Sequence, residues 1–228
     1  MADAKAQARQ DYLNTLYEKY RDVLSESAEN EVKLNAAKAK VEKSNAGMAT
    51  SYDKLLAILG MLGPFSVDTY IPAFSGIAKA LGATPVEMQQ TLSAYLLGFA
   101  FMNLFHGALS DSFGRRPVIL WGLALFTLAS LGCALSQSVG QLIFFRAVQG
   151  LSCGAGVVVS RAVVRDMFPP ADAQKVMSQI TIFFGVAPAV APIIGGVIAE
   201  YLDWHSIFWF LVGVGVVLWV ANWRLLPE

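Results

Sequence analysis

Beyond its first fifty residues this chain is poor in charge. Asp, Glu, Lys and Arg make up 15% of its 228 residues against 55% hydrophobic ones, and about half of the charges fall in residues 1–50. The remaining stretch is too apolar for an ordinary soluble domain, in which about a quarter of residues are charged. Clustered Lys and Arg, the mark of a nucleic-acid surface, are missing, and the zero net charge averages two unlike regions. Cysteine is limited to Cys133 and Cys153, both inside apolar segments. Neither a disulfide framework nor a zinc site is expected from them, only buried thiols. His106 and His205 are the two histidines, they fall at opposite ends of the apolar segments, and no nucleophile has a paired base, so nothing points to an enzyme, a metal or a cofactor. No alternating ten-residue pattern suggests a barrel.

What is present is six apolar segments, at 54–76, 88–110, 117–136, 139–160, 174–199 and 205–225. Each is near the ~20 residues that a ~30 Å hydrocarbon core requires. The gaps are short and hold breakers or charge, which makes neighbours antiparallel and predicts an up-and-down bundle. The fold class is therefore an all-α membrane protein, a six-helix transmembrane bundle over 51–228, preceded by a soluble helical extension over 1–50. If the chain alternates, Lys54, Arg115, Arg116, Arg161, Arg165, Lys175 and Arg224 fall on one side, and Lys79 is the cation of the other. The positive-inside rule puts the first side, with both termini, in the cytoplasm. Trp204, Trp209, Trp219 and Trp223 suit interfacial anchoring belts.

In the extension, Tyr12, Leu13, Leu16, Tyr17, Tyr20, Val23 and Leu24 recur at three- and four-residue spacing, and Glu29 to Lys43 favours helix. With many acids and no apolar core it is neither a transit peptide nor a signal peptide. A partner-docking helix and an appended fusion segment both remain open.

The polar gap Gly107-Ala-Leu-Ser-Asp111-Ser-Phe-Gly114-Arg115-Arg116-Pro117 carries the strongest signal. It resembles the loop after the second helix of major facilitator superfamily transporters, G-x-L-x-D-R-x-G-R-[RK], with Ser112 where the family has Arg. The runs Ser66-Val-Asp68-Thr-Tyr70-Ile-Pro72, Thr91 to Gly98, Arg146-Ala-Val-Gln149-Gly150 and Arg161 to Asp166 are similar to the bicyclomycin and chloramphenicol resistance branch of drug:proton antiporters. The resemblance spans residues from about 50 to 228. It implies efflux of small organic, drug-like molecules across the bacterial cytoplasmic (inner) membrane, driven by inward proton movement. Gly107, Asp111, Gly114, Arg115 and Arg116 would form the cytoplasmic gating loop.

Charge inside a span needs a reason, since it costs at least ~2.5–3.5 kcal/mol on insertion scales. Asp68 lies ~20 Å from the inner face by helical rise, and Arg146 ~10 Å below the outer one. Those depths coincide, which predicts a carboxylate and a guanidinium opposed across a cavity; a structural ion pair and a snorkelling Asp68 are the alternatives. Burial disfavours the Asp68 anion while Arg146 favours it, the balance a proton-coupling switch needs. Gln149, three residues on, would bond substrate or hold the guanidinium, or make an interhelical bond. Tyr95, Phe99 and Asn103 share a face of the second span and line the cavity or the core.

Ala187-Pro188-Ala-Val-Ala191-Pro192-Ile-Ile-Gly195-Gly196 resembles the antiporter signature G-x-x-x-G-P-x-x-G-G, and equally reads as a packing face. The superfamily has two six-helix halves, and this sequence resembles the first. Two functions follow: a half-transporter completed by a complementary half, a second copy or a larger membrane complex; or a non-transporting scaffold that docks through its N-terminal helices. The bilayer is a partner in either case, and nucleic acid in neither.

Overall fold

A computed structural model of the chain describes residues 54–226, with Gln10, Asp11, Asn14, Thr15, Glu18 and Lys33. The chain divides into two units, Met1–Thr50 and Ser51–Glu228. In the first, the six described positions are helical, and Thr15 Oγ1 donates to the Asp11 carbonyl at 2.8 Å, one turn back. The rest of the expected docking helices, including the stripe from Tyr12 to Leu24, lies outside the described residues.

The second unit consists, over its described length, of helices joined by short turns. Helix α1 (54–68) passes through the 3₁₀ turn Ile71–Ala73 into α2 (Phe74–Leu81), and together these form the first span. Five further spans follow: α3 (Pro85–Phe113), α4 (Arg115–Ala134), α5 (Val139–Met167), α6 (Pro170–Tyr201) and α7 (His205–Leu225). Each expected apolar segment falls largely on one of these six. The ends differ for a physical reason: hydropathy reports the part that fits hydrocarbon, whereas intrahelical hydrogen bonding continues until something stops it. Thus α5 runs on past residue 160 to Met167, and α6 begins at Pro170, where proline suits the first helical turn.

Local chemistry sets the turns. Gly82 ends α2 in the left-handed region at φ 61°. Thr84 then opens α3 with a reciprocal cap: its hydroxyl accepts from the Glu87 N–H at 3.3 Å, and the Glu87 carboxylate accepts from the Thr84 N–H at 2.8 Å. Gly114, at φ 91°, joins α3 to α4 without a longer loop.

Close packing explains which helices are central. In the first span and in α5, 61% of the apolar window is buried, against 17% in α3 and α6, so the first two form the middle of the bundle. Small residues permit this approach: a Cβ on Gly98 would lie 2.6 Å from the Ala147 carbonyl oxygen, and one on Gly150 would collide with the carbonyl of Tyr95. In hydrocarbon, where exposing apolar surface costs nothing, such van der Waals contact is what holds helices together. The core forms two apolar clusters. One holds Leu56, Leu59, Tyr95, Val159, Val163, Ile180 and Leu218; the other holds Tyr70, Ile77, Cys133, Leu142, Ile207 and Phe208.

Candidate functional site

Arg146 on α5 sits between those clusters and is completely buried. Its guanidinium carbon lies 4.3 Å from the ring centroid of Tyr70, from one cluster, and 4.6 Å from that of Tyr95, from the other. Its Nη1 donates to Gln149 Oε1 at 2.7 Å and, at 3.5 Å, reaches the Ser66 carbonyl. Gln149 in turn donates through Nε2 to Ser130 Oγ on α4 at 2.7 Å, and Ser130 donates to the Phe126 carbonyl at 2.7 Å. The guanidinium is therefore fixed by two π faces and an amide, the geometry in which desolvated cation–π contacts reach about 2 kcal/mol or more each. Nε and Nη2 have no hydrogen-bond partner among the described residues.

The tyrosines are themselves anchored. The Tyr70 hydroxyl lies 2.8 Å from Thr91 Oγ1, and the Tyr95 hydroxyl lies 2.7 Å from Ser66 Oγ and donates to the Gly63 carbonyl at 3.0 Å. Thus α1, α3, α4 and α5 all reach one buried charge.

Asp68 does not join this shell. It is half-buried, and it makes no ion pair with Arg146 or with any other described residue. The matched depths drew the two together, but the helical turn separates them. At ~100° per residue, Asp68 points about 200° away from Ser66, whose hydroxyl meets Tyr95 of the Arg146 shell and which shares its side of the chain with Tyr70. Depth along a helix is legible from residue counts; azimuth against a partner helix is not.

The other expected site residues are distributed unevenly. Gln149 holds the guanidinium and bridges helices at once, so two of the roles open in the sequence coexist. Tyr95 is a wall of the Arg146 shell, buried in the bundle. Asn103 lies about two turns away, where its Oδ1 and the Nδ1 of buried His106 both face Gly154 and lack a partner among the described residues. The sequence singled out neither Tyr70 nor Ser66 as a partner of Arg146, nor Ser130 as the partner of Gln149. A tyrosine one turn past Ser66 was the available signal.

At the loop, Gly107 makes only ordinary contact with Val158. Arg115 pairs with Asp111 at 2.5 Å and with Asp166 at the end of α5 at 2.9 Å, and also meets the hydroxyl of Ser110. Arg116 Nη2 donates to the Trp223 carbonyl at 2.7 Å. The loop's charges thus tie α3, α4, α5 and α7 together within the bundle. On α6, Pro188 is exposed and Pro192 half-buried, and neither interrupts the helix. Ala187, Ala191 and Gly195 form its buried stripe, and a Cβ on Gly195 would collide with the Thr69 carbonyl. Gly196 has no neighbour at that range.

Comparison with known proteins agrees with this architecture. Residues 56–228 match the family model of the Major Facilitator Superfamily. The chain is 44% identical over 173 residues to a bicyclomycin resistance protein homolog of Haemophilus influenzae, covering 76% of this chain and 44% of that protein. It is 34% identical to multidrug resistance protein D of Escherichia coli, covering 76% of this chain and 44% of that protein. The chain spans less than half the length of these curated relatives. Among solved structures, the proton:xylose symporter XylE superposes with a TM-score of 0.71 at 15% identity, over 81% of this chain and 46% of that one. This likeness concerns the fold alone. With its six spans, its loop and this similarity to resistance proteins, the chain is a multi-pass membrane protein that belongs to the major facilitator superfamily, in the bicyclomycin-resistance branch.

Proposed function

We propose that this chain forms the first six-helix half of a proton-coupled exporter of small organic molecules in a bacterial cytoplasmic membrane, with both termini inside, and that it acts with a complementary half. The observation that carries the reading is the buried Arg146 cation, locked between Tyr70, Tyr95 and Gln149 where four helices meet. A charge retained in a membrane core is a functional feature by default, because hydrophobic residues of similar size would pack there without the desolvation penalty. Similarity to bicyclomycin and multidrug resistance proteins supports an outward direction and a drug-like substrate class.

In this reading Asp68 is the proton carrier and Arg146 a fixed field. Asp68 lies on the half-buried face at the end of α1, where a carboxylate can meet protons or a substrate, whereas Arg146 is held away from both. Substrate entering from the cytoplasm would displace the proton, so that one carboxylate cannot hold both. Asp111, Gly114, Arg115 and Arg116 serve as the cytoplasmic hinge, and the small-residue stripe of α6 seals the packing against α1.

The test is co-expression with the complementary half of a bicyclomycin-resistance relative and measurement of proton-dependent efflux in inverted vesicles. Asp68→Asn should end coupling and leave the bundle's thermal stability unchanged, since the carboxylate has no ion pair among the described residues to lose. Undiminished proton-coupled efflux in Asp68→Asn excludes it as the carrier. The second reading, a non-transporting scaffold, is favoured by Ser112, which stands where the family loop has Arg. Absence of efflux with any complementary half, alongside a stable complex through residues 1–50, would establish that reading instead.

A further inference from the structure

The face that α3 turns toward α5 is polar at a level where neither helix carries charge. Asn103 and His106 lie three residues apart on α3, and both reach α5 at the same place, Gly154. His106 is 4% exposed. It lies seven residues, ~10 Å by helical rise, before the end of α3 at Phe113. Neither side chain is among the groups that hold Arg146. We propose that Asn103 and His106 hold one buried water between them, and that His106 is thereby a proton relay between Asp68 and the basic end of the bundle. The relay rests on the proton coupling proposed for Asp68; the water site does not.

Gly154 sets the geometry. A Cβ there would lie 2.3 Å from Asn103 Oδ1 and 3.0 Å from His106 Nδ1. The glycine hydrogen in that direction points at the amide oxygen, a weak Cα–H···O contact, whereas an NH2 group turned there would set hydrogen against hydrogen. Oδ1 is thus the atom that faces α5. Two atoms that close on one point at these distances are within about 5 Å of each other, a gap that one water spans with two hydrogen bonds. Room exists because the two helices part toward the basic end. At Gly98 and Gly150 their backbones meet, but a Cβ on Gly107 would find only Val158, at 4.0 Å.

The chemistry of the two atoms asks for a donor. Asn103 Oδ1 and His106 Nδ1 are buried and have no hydrogen-bond partner among the described residues. Native interiors satisfy such groups with ordered water. A water donates to Oδ1 and to Nδ1 of the neutral ring; once the ring is protonated, it turns and accepts from Nδ1–H. The carbonyl of Met102, one turn back on α3, also faces the ring and supplies a further acceptor. An imidazolium would therefore meet two carbonyl oxygens and a water.

Charge nearby does not oppose that state. On α5 the ring's level is marked by Gly154 and Val158, both uncharged. The nearest charges along α5, Arg146 and Arg161, lie about two turns to either side of Gly154. Along α3 the nearest is Asp111, which pairs with Arg115, and Arg115 of α4 pairs in turn with Asp166. Imidazole is the side chain that exchanges a proton near neutral pH. Asp68 lies ~20 Å from the basic face and His106 ~10 Å, so a proton leaving Asp68 for that side passes the level of His106. Ser110, one turn further along the same buried stripe, carries the polar face on to Arg115 at the loop. The step moves a proton and nothing else: a hydronium at the bridging position gives H⁺ to Nδ1, leaving water and imidazolium, and the reverse step returns it on the loop side.

The chain has two histidines, so His205→Gln leaves His106 as the single imidazole. The full chain with isotope-labelled histidine is studied by solid-state NMR in phosphatidylcholine vesicles. The ring should gain a proton between about pH 8 and pH 5, and Nδ1 of the neutral ring should receive magnetisation from water. Gly154→Ala keeps every hydrogen-bonding group and displaces the end of a flexible amide, and Asn103→Leu removes Oδ1. Each should abolish the water transfer, and either one tests the site where the other fails to fold. No water transfer in the parent, or undiminished transfer in these variants, overturns the water site. A ring that stays neutral throughout overturns the relay. With the complementary half in inverted vesicles, His106→Phe should slow proton-coupled efflux and remove from its pH profile the step that NMR assigns to His106. The parent's rate and profile in His106→Phe also overturn the relay. Failure of the coupling reading looks different: efflux in Asp68→Asn is then undiminished, and the relay falls with it, while the NMR result for the water site stands.

Discussion

Removing Gln149 should destabilise the bundle more than removing the charge it holds. In Gln149→Leu, the 2.7 Å bond from Arg146 Nη1 is lost, and the fully buried guanidinium keeps only the 3.5 Å approach to the Ser66 carbonyl and its two ring contacts. A hydrogen bond to a charged group contributes about 1.5–3 kcal/mol, and a buried donor left unmade adds its own desolvation penalty of about 1–3 kcal/mol. Gln149→Leu should therefore cost about 3–5 kcal/mol, the range found when a buried charge loses its partner. Arg146→Met removes the charge and both unpartnered donors while keeping the length of the side chain, so its cost should be smaller, and the double variant should be more stable than Gln149→Leu alone. Each kcal/mol shifts the midpoint of a domain this size by roughly 2–4 °C. The assay is thermal unfolding in mild detergent followed with a thiol-reactive fluorophore, for which the buried Cys133 and Cys153 are built-in reporters. A double variant that loses the sum of the two single losses would refute the reasoning, because independent sites add and coupled ones do not.

Other consequences are simpler to check. Gly195→Val should disrupt the approach of α6 to the end of α1 and lower the melting midpoint sharply, whereas Gly196→Ala, with open space around it, should leave the midpoint within about 2 °C, the scale of a surface change. Membrane-impermeant labelling of single introduced cysteines should reach Asp203→Cys from outside and miss Ser112→Cys; the reverse pattern would invert the proposed orientation. Deleting residues 1–47 should leave insertion and bundle helicity intact, measured by membrane fractionation and circular dichroism, because all six spans fall in the second unit. Failure to insert would make the extension part of the bundle's folding.

Six spans, their order and most of their boundaries follow from sequence alone, because the bilayer admits so few solutions: a backbone in hydrocarbon must satisfy its own hydrogen bonds, and ~20 apolar residues suffice to cross. Asp68 and Arg146 were visible as candidates for the same reason, since charge stands out where it is expensive. What they touch was not visible. Tyr70 and Tyr95 lie 25 residues apart in the chain and both close on one guanidinium, and Ser130 on α4 bonds its amide partner. Such contacts depend on the rotation of each helix about its axis, which is set by where glycines such as Gly98 and Gly150 let backbones meet. Composition fixes which segments enter the membrane and how deep a residue sits; only packing decides which way it faces, and that turned Asp68 away from Arg146 and set Asn103 and His106 against Gly154.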